Sequence, residues 1–401
     1  MNKTGTFRRN RFAMIREKLI SLVCRALAVL FRLFERSSAD LKDLPTGARV
    51  LILKPCCLGD VILTTPVIAA LREALPHAHL EYAVSAWAKP IVEGSPRLDG
   101  ILDTGVSGSA FTLKQYLVFI RKMRQQRYQA IIALDRSPLL TLLPWLAGAK
   151  LRVGIDSRGR GFALNIRSRL ERNSIIKHEA EIYKDVLRAA GLDPTPAKME
   201  FYPSDKAKSK VAGFLEALSA FQNSKGAVAV IHPGGGNNPD TLVKSKRWKP
   251  ENFAQIAAKL ITKGYTVIII GALQQGDGEL AERLLYAIPE GLQESVINAV
   301  GMFNLDESGA LFEKATLFIG NDTGLMHLAA ACGTKVIAIF GPSNPVAYGP
   351  YTDTGKAVYP SNLDWKNNLP LHEYETITAA QGGIEKVTVS QVWEAIKSLK
   401  H

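Results

Sequence analysis

An α/β fold of two Rossmann-like parallel-sheet units facing a central cleft is predicted by three observations. The chain has 401 residues, long for one core and comfortable for two. Short apolar runs alternate with segments of helical period, the order that builds a parallel sheet covered on both faces. This alternation occurs twice, on either side of a polar stretch, Gln222-Asn223-Ser224-Lys225-Gly226.

The first series opens with an apolar strand at Arg49 to Lys54, followed by a helix from Val61 to Leu75 and a second strand at His79 to Val84. Leu113 to Gln126 has helical period, and Ala130 to Leu134 and Leu151 to Gly154 supply further strands. A helix from Asp205 to Leu218 leads to the polar stretch. In the second series the strands are Val228 to His232, Tyr265 to Ile270, Thr316 to Ile319 and Lys335 to Phe340, with helices from Pro250 to Lys263, Gly278 to Tyr286 and Leu325 to Cys332. The amphipathic segment Ser390 to Leu399 is expected to pack back across both units. The expected divisions are residues 1–45, a basic helical segment; 46–222 and 223–375, the two sheet units; and 376–401, the terminal helix.

The formal net charge is +13, and residues 1–48 carry ten Lys or Arg against four Asp or Glu. Such a segment favours an anionic surface. Nucleic acid is not expected as a partner, because no recognition-helix, zinc-finger or aromatic RNA-binding signature is present. Lys18, Arg25, Arg32 and Arg36 fall on one stripe of a helix whose remaining face is apolar. That helix either lies in a membrane interface or docks on the protein's own surface. Its apolar run is interrupted by Arg25 and Arg32, too short for a span or a secretory core. Cys24, Cys56, Cys57 and Cys332 have no metal-ligand spacing and imply no disulfide framework, which fits a reducing cytoplasm.

The stretch Gly320-Asn321-Asp322-Thr323-Gly324 joins a buried strand to an apolar helix. The free N–H groups of a first helical turn hold a phosphate oxygen well, Thr323 adds a hydroxyl and Gly324 allows close approach. The simpler alternative is a helix merely capped by Asp322. Leu58-Gly59-Asp60 occupies the matching handover in the first unit, where Asp60 is either a cap or a general base. His232-Pro233-Gly234-Gly235-Gly236 leaves the backbone open to a phosphate or sugar but lacks the G-x-G-x-x-G spacing of a dinucleotide site. Lys244-Ser245-Lys246-Arg247-Trp248 is a basic loop in which Lys246 or Arg247 could neutralise a departing diphosphate.

These elements, with Thr64-Thr65-Pro66, His178-Glu179-Ala180-Glu181-Ile182-Tyr183 and His327, together resemble glycosyltransferase family 9, the lipopolysaccharide heptosyltransferases, from about Arg49 to the C-terminus. The resemblance implies a GT-B fold with the acceptor on the first unit and a nucleotide-sugar donor, ADP-heptose favoured, on the second. It also implies inverting transfer without metal or other cofactor to a lipopolysaccharide core or similar anionic glycolipid. The basic N-terminal segment lies outside the resemblance, and placement at the inner face of the cytoplasmic membrane is a separate expectation from that segment. By position, Asp60 is then the base, Lys246 stabilises the donor phosphates, and Gly234, Gly235, Asp322, Thr323 and Gly324 bind the donor. His327 either lines the site or orients the turn. Cys56-Cys57 stands where the family carries small hydroxyl residues, and either Asp277 or Glu279 would serve the ribose. A non-catalytic nucleotide-sugar-binding protein tethered to the membrane is the alternative.

Overall fold

The computed structural model describes residues 19–31, 40–106, 111–170, 176–222, 227–238, 241–273, 276–362, 365, 377–378 and 380–399. Residues 19–31 form helix α1. The first sheet contains β1 (Arg49–Leu53), β2 (His79–Val84), β3 (Gly100–Asp103), β4 (Ala130–Ala133), β5 (Leu151–Ser157) and β6 (Ile166–Leu170), in the order β3-β2-β1-β4-β5-β6. Every pairing in it is parallel. Its helices are α2 (Leu58–Leu63), α3 (Thr65–Ala74), α4 (Leu113–Gln126), α5 (Pro138–Leu146) and α6 (Glu179–Ala189).

After α7 (Asp205–Gln222) the second sheet repeats the plan with β7 (Val228–His232), β10 (Thr266–Ile269), β11 (Val296–Asn298), β12 (Leu317–Asn321), β13 (Lys335–Ile339) and β14 (Gly355–Val358). Its order is β11-β10-β7-β12-β13-β14, again wholly parallel. A two-residue ribbon, β8 (Asn237–Asn238) with β9 (Thr241–Leu242), projects between β7 and β10. The accompanying helices are α8 (Pro250–Ile261), α9 (Asp277–Tyr286), α10 (Leu305–Lys314), α11 (Gly324–Ala331), α12 (Pro345–Tyr348) and α13 (Val389–Lys397).

Each sheet is thus doubly wound, with its winding direction reversing between the first and fourth of its main strands. Outside the carboxyl ends of those two strands an open sheet leaves a crevice. The central strands are apolar on both sides, as sheets covered by helices require: Val50 to Leu53 and Ala229 to Ile231 are fully buried.

Two departures from the sequence reading have physical causes. The helix expected from Val61 to Leu75 is two helices, because the Thr64 hydroxyl donates to Val61 O at 2.7 Å and Pro66 enters the first turn of the next one. A proline has no N–H to continue the earlier helix, so the chain restarts there. Helix α7, placed with the first unit by the expected boundary at residue 222, packs on α10 of the second, and Phe201 lies against Gly309, so contacts between the units run on both sides of the segment before that boundary. Most of the polar stretch taken as that boundary, residues 223–226, falls outside the described residues. The terminal helix α13 packs against α8, β13 and β14 rather than across both units. Its Val392 belongs to a core built wholly from the second unit.

Helix α1 docks on the first unit. Cys24, Ile20, Leu27 and Phe31 pack with Phe162, Ala163 and Leu142, and the Phe31 ring meets Trp145 edge to face at 5.2 Å. Of the basic stripe, Arg25 is described and exposed; Lys18, Arg32 and Arg36 lie outside the described residues. No helix among the described residues is long and apolar enough to cross a membrane.

Candidate active site

The first-unit half of the site is built at the ends of β1 and β4. Strand β1 runs into Lys54, whose side chain is 9% exposed, and the chain then turns into α2 with Asp60 in its first turn. Lys54 Nζ lies 3.1 Å from Asp60 and 3.2 Å from Asp135, the latter just beyond β4. Burial alone would pull the Lys54 ammonium down, but Asp60, Tyr183 and Asp135 outweigh it and hold its pKa well above the ordinary lysine range. One buried cation therefore fixes two carboxylates. Asp60 keeps 34% of its side chain exposed, so a ligand can still reach it. Cys57, not Asp60, occupies the cap position of α2 and makes no side-chain cap bond. Capping is thus not Asp60's role. Beside this cluster Arg136 holds Glu179 through Nη2 contacts of 2.7 and 2.8 Å.

The second-unit half forms at the ends of β7 and β12. Lys246 Nζ donates to Asp322 Oδ2 at 2.6 Å. Asp322 is buried, which would raise its pKa, yet Lys246 holds the carboxyl below the usual range. The cap of α11 is Thr323, whose hydroxyl accepts from the Met326 N–H; Asp322 is left to pair with the lysine. Fully buried Asn321 ties three loops together. Its Oδ1 accepts from Trp248 N–H at 3.0 Å, and its Nδ2 donates to Pro233 O at 3.0 Å and Gly234 O at 2.8 Å. Trp248, itself buried, donates its indole N–H to Val387 O at 2.8 Å, which anchors the Lys246 loop from the other side.

The glycines of this half are explained by packing within the protein. A Cβ on Gly234 would stand 2.2 Å from Asp277 Oδ1. One on Gly235, where φ is +125°, would stand 2.4 Å from Thr323 Cγ2. Asp277 is buried, lies 3.4 Å from His232 Nε2 and accepts from Ala272 N–H at 3.0 Å. It supports the glycine loop from beneath, which argues against its use for the ribose.

The halves meet where α2 and α11 touch. A Cβ on Gly324 would come within 2.9 Å of Leu58 Cβ, and one on Gly59 within 3.0 Å of His327 Cδ2. Gly324 therefore permits close approach of the other unit, whatever ligand also comes near. His327 is buried at this seam and feels the charges of Asp322, His178, Asp60 and Lys246. His178 crosses the seam as well. Its Nδ1 accepts from Ala180 N–H at 3.2 Å, so its Nε2 carries the proton and donates to Gly349 O at 2.8 Å.

Burial pushes the His327 pKa down to about 4. A histidine kept neutral by the fold binds fewer protons than in the unfolded chain, so stability falls as pH drops below the ordinary value of about 6.5, until about pH 4. His327→Gln is expected to flatten that part of the stability curve, read by urea unfolding at a series of pH values. A slope unchanged by the substitution would remove His327 as its source.

With this geometry in place, the comparison with known proteins is direct. A sequence model of glycosyltransferase family 9 (heptosyltransferase) matches residues 116–369, more than half the chain. The chain belongs to glycosyltransferase family 9. Lipooligosaccharide heptosyltransferase 2 of Haemophilus influenzae is 27% identical over 309 residues, 76% of this chain and 86% of that protein. The family 9 glycosyltransferase structure from Veillonella parvula superposes with a TM-score of 0.74 at 23% identity, covering 91% of this chain and 98% of that one. The structure of Escherichia coli ADP-heptose lps heptosyltransferase II gives 0.65 at 21%, covering 87% and 98%. The fold is therefore the GT-B arrangement, and the family makes the chain a glycosyltransferase.

Of the eight family-derived site residues, Gly324 and His327 stand at the seam with Asp60 near His327, and the others gather around the turn that opens α11. Asp60 comes from the first unit; Lys246, Gly234, Gly235, Asp322, Thr323, Gly324 and His327 come from the second. Lys54, Asp135 and Arg136 were not singled out as site residues from the sequence, and Asn321 was quoted in its motif without a role of its own. Asp135 and Arg136 carried one usable signal: they follow the fourth strand, which lies beside the first in this winding order.

Proposed function

We propose that this glycosyltransferase moves a heptose or related sugar, with inversion, from a nucleotide-sugar donor to a lipopolysaccharide core or similar anionic glycolipid. ADP-heptose is the favoured donor. The observation that carries the proposal is the placement of a reachable carboxylate, Asp60, and the Lys246–Asp322 pair on opposite sides of one interdomain seam, with His327 between them. In this mechanism Asp60 takes the proton of an acceptor hydroxyl as its oxygen attacks the anomeric carbon. The bond from that carbon to the diphosphate breaks on the opposite face. Lys246 and the N–H groups opening α11 receive the charge that develops on the leaving diphosphate. An ammonium has three donors, and the one spent on Asp322 leaves others for phosphate oxygens. Lys54 would act through Asp60, holding its carboxylate in place.

The similarity to proteins described as lipooligosaccharide heptosyltransferase 2 and ADP-heptose lps heptosyltransferase II supports the choice of sugar and acceptor. The reading places the enzyme peripherally on the inner face of the cytoplasmic membrane and needs no metal. Thermal shift and calorimetry with ADP, UDP, GDP and CMP, each with and without EDTA, test the donor side. ADP is expected to stabilise selectively and indifferently to EDTA, by about 2.7 kcal/mol at roughly 100 times its Kd. Preference for another nucleotide would change the sugar, dependence on a divalent ion would remove the metal-free step, and no binding at all would overturn the donor assignment.

A further inference from the structure

Among the described residues, seventeen large hydrophobic side chains stand exposed. Ten belong to three helices: five to α1, three to α4 and two to α5. These helices form a continuous surface on the first unit. Phe31 of α1 packs on Trp145 of α5, Tyr116 of α4 donates to Leu139 O of α5 at 2.7 Å, and Arg124 of α4 donates to Leu146 O at 2.6 Å.

The docking of α1 decides what it can present. Ile20, Cys24, Leu27, Ala28 and Phe31 are spent on the protein. That leaves Leu22, Val23 and Leu30 at 66, 50 and 54% exposure on another side. The docked face needs no further cover, and the exposed one is more apolar than a solvated helix requires. Leu113 and Leu117 of α4 are 75 and 57% exposed, and Trp145 of α5 is 47% exposed.

Charge identifies the occupant. Helices α1, α4 and α5 together contain Arg25, Lys114, Arg121, Lys122 and Arg124 and no Asp or Glu. The sequence flanking α1 carries Arg16, Lys18, Arg32 and Arg36 against Glu17 and Glu35, so the cations still prevail there. A second protein surface would ordinarily meet a mixed rim of charges. Apolar side chains interspersed with cations alone, together with a half-exposed tryptophan, match the headgroup and upper acyl region of an anionic bilayer.

We propose that α1, α4 and α5 form one membrane-docking face that seats the enzyme on anionic phospholipid. The face stands close to the chemistry. Helix α5 starts at Pro138, three residues after Asp135, which shares Lys54 with Asp60. A lipid-borne acceptor on that face would have its glycan near the proposed base. The inference deepens the proposed function and rests on it only in supposing a lipid-linked acceptor; docking itself depends on no donor.

The test is flotation of the full chain with vesicles of phosphatidylglycerol and phosphatidylethanolamine, and with phosphatidylcholine alone. ADP-induced thermal shift and gel filtration are measured alongside. Wild type is expected to float with the anionic vesicles and poorly with the neutral ones, and to lose part of its binding at high salt. Leu22→Glu with Leu30→Glu, and separately Leu117→Glu, should each reduce the bound fraction about ten-fold or more, with the unfolding temperature retained. Arg121→Glu with Lys114→Gln should weaken binding to anionic vesicles only. Failure of wild type to float, or flotation unaffected by all these changes, would overturn the proposal. A wild-type dimer in solution that the leucine substitutions split, without any vesicle binding, would assign the face to a second copy instead. Loss of ADP response with flotation intact would count against the donor reading alone.

Discussion

Asp60→Asn is expected to lower kcat by about 10²- to 10⁴-fold, the usual contribution of a positioned general base. Nucleotide affinity should stay near wild type, because Asp60 comes from the first unit and the Lys246 loop from the second. The amide keeps the size of the carboxylate but cannot take the proton. It also removes one of the two anions around Lys54, leaving Asp135 at 3.2 Å to keep that buried ammonium paired, so folding should survive. Single-turnover transfer from ADP-heptose, with calorimetric ADP binding as control, reads both quantities. A variant that turns over at the wild-type rate would dismiss Asp60 as the base. A variant that loses ADP binding as well would show that Asp60 contributes to assembling the seam.

Lys246→Met is expected to be costly in a different way. The side chain of Asp322 is 8% exposed, so removing its cation strands a buried carboxylate, at a cost of about 3–5 kcal/mol. The pH dependence has a definite sign. In the wild type the Asp322 carboxyl is held below its ordinary range, so the pair's stabilisation is present above that range and is lost as pH falls through the lower folded value. Without Lys246 burial dominates and pushes the carboxyl up, so the folded state binds the proton more tightly and the variant's stability deficit should be largest at neutral pH and shrink as pH falls through the raised value. Adding Asp322→Asn to Lys246→Met should restore much of the stability by removing the stranded charge, yet should leave nucleotide affinity low. Recovery of both in the double variant would mean that Lys246 serves the fold and not the donor.

The sequence made the alternation of strands and helices legible because buried parallel strands are short and continuously apolar, as in Val50 to Leu53 and Val336 to Ile339. The motif loops stood out because they follow such strands. Lys54 was hidden for the same reason: it closes an apolar run, and only the fold shows that its stem is buried and its ammonium lies between two carboxylates. Asp135 and Asp60 are 75 positions apart in the chain and are joined only by strand order. The glycines admit two readings. A bare backbone suits a phosphate and a neighbouring helix equally, and at Gly324 and Gly59 the neighbour is the other unit. The helix break at Thr64 was signalled by Pro66, since a proline within a helical run ends or kinks the helix before it.

Asn321 bears on the rate at which a donor is captured. Its amide has only one satisfactory orientation, since a flip would set its NH₂ against the Trp248 N–H and its oxygen against two carbonyls. Pro233, Gly234, Trp248 and the α11 turn are therefore held together when the protein folds, and little further entropy is lost at those positions when a ligand arrives. Association should then proceed as encounter with a ready-made surface, in a single phase whose rate rises linearly with nucleotide concentration.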